Sequence, residues 1–195
     1  MKKFTCAAAL VCSAALLVAN VPGAAAFRSV GLPIAHQQMR TFQSSTLSMV
    51  SEGQAAPSFS LKDQSGSTIT LASYKGKKDV VLFFYPKDDT PGCTKEAQAF
   101  NANLDEFQKM GAEVIGISSD ADHSAFVEKY GLKMKLLSDI NGAVRKQFKV
   151  PSSLFGALDG RVTYVIGKDG IVKKIYDNQF NPESHIDVVK EALKK

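Results

Sequence analysis

A chain of 195 residues is long enough for one domain with a sizeable core and an extension beside it. Its 24 basic residues outnumber its 19 acidic ones, but Lys2, Lys3, Arg28 and Arg40 all precede the first acid, Glu52, so 20 bases face 19 acids beyond them. That balance removes the main support for nucleic-acid binding. The single cysteine beyond residue 50 excludes both an internal disulfide and a cysteine metal cluster there.

Residues 1–26 have the order of a secretory signal peptide: Met1-Lys2-Lys3, an apolar run to about Ala19, then Ala24-Ala25-Ala26 before Phe27. A retained membrane anchor is the rival reading. Residues 27–50 hold no acid, two arginines and the run Ser44-Ser45-Thr46, which is transit-segment composition. The two in series resemble the bipartite leaders of plastid proteins in algae with complex plastids. The plastid is therefore expected, with simple secretion as the alternative. Cys6 and Cys12 would leave with the leader, and the domain is expected over residues 51–195.

Along that domain, residues 56–61 alternate apolar and polar side chains as a short edge strand does. Residues 62–67 read as a turn, 68–71 alternate again to complete a hairpin, and 72–76 read as a short helical turn. Residues 80–85 form a continuous apolar run, as in strands covered on both faces. A polar loop follows Pro86, and a helix is predicted from Pro91 to Met110 with Gly111 as its cap. Thr90 suits the N-cap and Pro91 the first helical position. Cys93, Ala97, Phe100, Leu104 and Phe107 give that helix one apolar face, with the cysteine at its inner edge.

Strands are predicted at 114–118 and 134–137, helices at 122–130 and 142–148, and a loop at 151–160. Two more strands, 162–166 and 171–176, flank the turn 167–170, and a last helix runs from Pro182 to Lys195. Strands alternating with helices indicate an α/β fold, a mixed central sheet with helices on both faces. In such sheets sites form beyond the carboxyl ends of the strands, where the loop from Pro86 to Cys93 lies.

Cys93 falls in the first turn of its helix, where unpaired backbone N–H groups and the positive dipole end favour a thiolate, the nucleophilic form. The other reading is a small, inert core cysteine. His123 and His185, the only histidines left beyond the leader, read as residues of solvated helix faces.

Tyr85-Pro86-Lys87-Asp88-Asp89-Thr90-Pro91-Gly92-Cys93-Thr94-Lys95-Glu96-Ala97 resembles the active-site loop of the peroxiredoxins, with their Pro-x-x-x-Thr-x-x-Cys pattern. The fuller string resembles the peroxiredoxin Q (bacterioferritin comigratory protein) branch. Residues 160–166 and 176–183 resemble the same branch, particularly its chloroplast members, and the likeness covers roughly residues 53–195. The resemblance implies a thioredoxin-like fold and a thiol peroxidase that reduces hydrogen peroxide and organic hydroperoxides for antioxidant defence. It implies Cys93 as the peroxidatic cysteine, oxidised to sulfenic acid. Thr90 would offer its hydroxyl to the thiolate and peroxide, and Pro86 would shield the loop. Arg161 would hold the thiolate and stabilise the departing oxygen. Glu96 either orients that arginine or sits on the helix face. Residues 52–195 hold 18 lysines but only Arg145 and Arg161, so an arginine just before a strand is a weak hint of its own.

Many members of the branch carry a resolving cysteine five residues after the first; here that residue is Gln98. The sulfenic acid must then meet an outside thiol: thioredoxin, glutathione with glutaredoxin, or Cys93 of a second subunit. No cofactor or metal is implied, no nucleic acid, no membrane for the mature form, and the branch implies a monomer. A redox sensor or holdase on the same fold is the alternative. A thiol–disulfide oxidoreductase fails because Pro91-Gly92-Cys93-Thr94 has no Cys-x-x-Cys pair, and a phosphate-binding loop fails for want of its glycines and lysine.

Overall fold

The computed structural model describes residues 50–153 and 158–195. The expected signal peptide and residues 27–49 of the expected transit segment lie outside the described residues. Val50, the last residue of that segment, is half-buried and packs against one of the two core layers described below.

Strands β1 (Ser60–Asp63) and β2 (Thr68–Thr70) form the predicted antiparallel hairpin. Asp63 closes its turn, with Oδ1 accepting from the backbone N–H groups of Ser65 and Ser67, each at 2.9 Å. A 3-10 turn over Leu71–Tyr74 leads to β3 (Asp79–Phe84). Helices α1 (Pro91–Ala102) and α2 (Leu104–Lys109) precede β4 (Ala112–Ser118). Then come α3 (Ser124–Tyr130), β5 (Lys135–Ser138) and α4 (Ala143–Gln147). A small antiparallel pair, β6 (Ser152–Ser153) and β7 (Leu158–Asp159), stands apart. The hairpin β8 (Val162–Ile166) and β9 (Val172–Asp177) and the helix α5 (Ser184–Leu193) complete the chain. The seven-stranded sheet runs β2-β1-β5-β4-β3-β8-β9, parallel between β5, β4 and β3 and antiparallel elsewhere.

The apolar run becomes the sheet's centre because every residue of β3 is buried, and alternate side chains serve opposite layers. Val81, Phe83 and Tyr85 pack beneath α1, α2, α3 and α5. Val80, Leu82 and Phe84 pack against Phe59, Leu71, Val144 and Phe148 on the other face. Phe83 stacks on Phe100 of α1 with ring centroids 4.5 Å apart, which fixes α1 above the sheet. Deleting such a ring costs about 3–5 kcal/mol.

The sequence-predicted helix over 91–110 is two helices, broken at Asn103. Its backbone leaves helical angles at φ −100° and ψ 7°, and its side-chain amide (2.8 Å) and its own N–H (3.3 Å) both donate to the Ala99 carbonyl. The apolar face survives the break, since Cys93, Ala97, Phe100, Leu104 and Phe107 are all buried. The first strand starts at Ser60 rather than Ala56, and it is not an edge strand, because β5 covers its other side. The loop expected over 151–160 contains the pair β6–β7.

The register places three chain ends together: Phe84 of β3 faces Val162 of β8, which faces Asp177 of β9. The exit of β3, the entry of β8 and the exit of β9 therefore share one edge of the sheet.

Candidate active site

At that edge Pro86, half-buried, ends the line of β3, and the loop to Thr90 is braced from below. Asp88 does most of the bracing. Its Oδ1 accepts from the Tyr85 hydroxyl (2.7 Å), its Oδ2 pairs with His123 Nδ1 (2.7 Å), and its N–H donates to Asp120 Oδ2 (2.9 Å). Burial, followed by the charge of Asp88, pushes the Tyr85 phenol well above its ordinary range, so it stays a donor. Asp89 stands at φ +55°, a left-handed conformation that aspartate tolerates better than most residues. Its carboxylate is held by Lys129 Nζ (2.6 Å) and the Tyr130 hydroxyl (2.6 Å).

Thr90 is the N-cap of α1, with extended backbone angles, and Pro91 is the first helical residue. The Thr90 hydroxyl makes no cap bond; it donates to the Lys87 carbonyl at 3.1 Å and is not directed at Cys93. Cys93 follows as the third helical residue, only 2% exposed. Gly92 leaves room for its partner: a Cβ there would sit 3.2 Å from Arg161 Nη2.

Arg161 enters from the start of β8 and is itself buried. Its Nη2 donates to Cys93 Sγ (3.3 Å), its Nη1 to Glu96 Oε2, and its Nε to the Gln179 carbonyl (3.4 Å). The planar fork thus ties α1 to the segment after β9. Gly160 fixes where β8 begins, since its N–H donates to the Pro151 carbonyl (2.8 Å) and a Cβ would fall 2.2 Å from that oxygen. Arg145, also buried, donates to the carbonyls of Gly160 (2.9 Å) and Tyr85 (2.7 Å), joining the entry of β8 to the exit of β3.

Behind the arginine lies a polar group with no water access. Glu96 and His185 are both fully buried. His185 Nε2 faces the Asn178 carbonyl (3.1 Å), which can only accept, so Nε2 carries the proton and Nδ1 accepts from the Thr163 hydroxyl (2.7 Å). Glu96 Oε1 has no hydrogen-bond partner among the described residues, and His185 Nδ1 is 3.7 Å away. Burial pulls His185 down to about 4 and pushes the Glu96 carboxyl up to about 8 against the pull of Arg161. Burial also works against the arginine's charge, but Glu96 and Cys93 together outweigh it and hold the guanidinium above its ordinary range. The cation has two partners; the carboxylate has one and does not recover its lost hydration.

Of the four residues expected in the site, Cys93 and Arg161 touch, Thr90 caps the same helix, and Pro86 closes the strand before it. The expectation that His123 and His185 lie on solvated faces is wrong, because both are completely buried. The hydroxyl, carbonyl and carboxylate partners that make this tolerable are 7 to 38 residues away in sequence. Glu96 had one readable signal: three residues after Cys93 on a helix, it shares the cysteine's face. Arg145 had none beyond the scarcity of arginine. Gln98, the position of the missing resolver, is exposed.

The chain is similar to known proteins over most of its described residues. The model of the AhpC/TSA family matches residues 52–175. A relative from Suaeda salsa, "Peroxiredoxin Q, chloroplastic", is 53% identical over 157 residues, 80% of this chain and 72% of its own. The protein of the same name from Arabidopsis thaliana is 58% identical over 147 residues, 74% and 68% of the two chains. Among solved structures, the peroxidoxin BcpB of Mycobacterium tuberculosis superposes with a TM-score of 0.69 at 36% identity, covering 75% of this chain and 97% of that one. Peroxiredoxin Q of Xanthomonas campestris gives 0.64 at 35% identity, covering 70% and 89%.

Proposed function

The chain belongs to the AhpC/TSA family and, within it, to the plastid-type peroxiredoxin Q branch, and from that premise we propose that Cys93 is its peroxidatic nucleophile, served by Arg161, Thr90 and Pro86. The protein is a thiol-dependent peroxidase with a thioredoxin-like fold, and its place is the plastid. The leader over residues 1–50 would deliver it there, leaving a domain of about residues 51–195 that acts as a monomer.

The observation that supports these roles is the 3.3 Å contact from Arg161 Nη2 to the sulfur of the only cysteine beyond residue 50. An N–H donor aimed at sulfur favours the anion, and a second face of the same guanidinium can follow the charge as it moves to oxygen. The Cys93 thiolate attacks one peroxide oxygen, the O–O bond breaks, and the second oxygen leaves with a proton as water or alcohol. Cys93 becomes a sulfenic acid. In this reading the Thr90 hydroxyl turns from the Lys87 carbonyl to the incoming peroxide, and Pro86 keeps bulk water from the sulfur.

With Gln98 at the resolver's position, an external thiol must attack the sulfenic sulfur, expelling water and leaving a mixed disulfide. A second thiol then releases the Cys93 thiol and departs as a disulfide. The test is peroxide-dependent turnover with thioredoxin and its reductase, or with glutathione and glutaredoxin, for the wild type and Cys93→Ser. Sustained turnover by the wild type alone supports the assignment. Equal turnover by both sinks it.

A further inference from the structure

One side chain near Cys93 takes no part in holding the site. Phe180 is 95% exposed. A lone exposed hydrophobe is ordinary on a protein surface; what sets Phe180 apart is where it stands and how firmly its backbone is held. It follows β9, whose exit shares the sheet edge with the Cys93 loop. A single guanidinium spans from Cys93 Sγ to the carbonyl of Gln179, the residue before it.

The segment is not a loose tip. Asn178 Oδ1 accepts from the N–H groups of Phe180 (3.2 Å) and Asn181 (3.0 Å). The Asn178 carbonyl accepts from the buried His185, and the Asn181 carbonyl accepts from the Ser184 hydroxyl (2.7 Å). Both residues that grip this turn from below, Arg161 and His185, belong to the buried group behind Cys93. A firmly bonded turn thus carries an exposed ring next to a carbonyl that shares one guanidinium with the reactive sulfur.

We propose that Phe180 is the docking point for the protein that reduces Cys93, a small dithiol protein of the thioredoxin kind, whose apolar rim the ring would enter. This rests on the peroxidase reading above. The chemistry says what must come to this surface: Cys93 is only 2% exposed and no second cysteine lies beyond residue 50, so the thiol that resolves its sulfenic acid arrives from outside. A buried aromatic at the centre of a contact is the usual anchor of such interfaces. The step it assists is attack of the partner's thiolate on the sulfenic sulfur, forming the mixed disulfide and releasing water. The partner's second thiol then breaks that disulfide and carries away the oxidising equivalents.

The test compares wild type, Phe180→Ser, Phe180→Trp and Ile140→Ser in steady-state peroxide turnover. Thioredoxin with its reductase serves as one reductant and dithiothreitol as the other. Ile140 is the second exposed large hydrophobe among the described residues. It follows β5, four strand positions from β9 and so about 19 Å across the sheet. Circular dichroism and melting temperature establish that each variant is folded. The expected result is a KM for thioredoxin raised about tenfold or more in Phe180→Ser, restored by Phe180→Trp and untouched in Ile140→Ser. Turnover with dithiothreitol stays at the wild-type level throughout. An unchanged KM for thioredoxin in Phe180→Ser overturns the proposal. So does a change confined to the KM of a long-chain alkyl hydroperoxide, which would make the ring a substrate contact. Turnover with dithiothreitol but none with thioredoxin overturns the docking alone. Failure to consume peroxide with either thiol overturns the peroxidase reading first.

Discussion

Replacing Glu96 by glutamine keeps the shape and one acceptor for Arg161 but removes a buried titratable group, so stability should change its dependence on pH. Burial pushes the Glu96 carboxyl from 4.5 to about 8. In that window the folded protein holds a proton that the unfolded chain has released. The contribution of Glu96 is therefore complete below about pH 4.5 and is lost as pH rises to 8. A pKa displaced by one pH unit on folding corresponds to about 1.4 kcal/mol, so the whole window spans at most about 5 kcal/mol. Between pH 6.5 and 8 the wild type should lose about 2 kcal/mol that the variant keeps. With a urea slope of about 2 kcal/mol per molar, that moves the unfolding midpoint by roughly 1 M. The assay is urea denaturation of both proteins at pH 5, 6.5 and 8, followed by circular dichroism. Parallel curves across that range would show that Glu96 stays ionised against Arg161 throughout, contrary to its raised pKa.

Three further outcomes follow from the same group. His185, pulled to about 4 by burial, stabilises the fold above pH 6.5 and loses that contribution as pH falls towards 4, up to about 3 kcal/mol; His185→Gln should flatten the acid limb of the stability profile. Arg161→Met should slow the single-turnover reaction with hydrogen peroxide about 10²–10³-fold while circular dichroism stays native, and a loss under tenfold would remove Arg161 from the reaction. Gly92→Ala places a methyl group 3.2 Å from Arg161 Nη2, so the peroxide step should slow several-fold. Its melting temperature should hold or rise, since alanine favours a helix by up to about 1 kcal/mol over glycine. Slowing together with a loss of stability would mean that the helix, not the arginine, had been disturbed.

The apolar face from Cys93 to Phe107 could be read from spacing because all five side chains are buried despite the break at Asn103. The break itself could not, because it lies in the backbone angles of a single residue, Asn103, and nothing in the periodicity marks it. The pairing of Cys93 with Arg161 spans 68 residues and came into view only through the family resemblance. Composition made the arginine rare but gave no reason to put it on sulfur. The burial of the histidines escapes local pattern for a related reason. A polar residue on a helix is expected in water unless its partners are known, and those of His185 come from β8 and the turn after β9. Long-range polar satisfaction is what local patterns lose.

The most direct test of the account is the intact mass of the domain from about residue 50 after one equivalent of hydrogen peroxide without reductant, with Cys93→Ser beside it. A peroxidatic Cys93 predicts fast peroxide loss and one added oxygen, about 16 Da, on the wild-type monomer, carried by Cys93 and absent from the variant. Peroxide loss no faster than that of Cys93→Ser, with the mass unchanged, would contradict it.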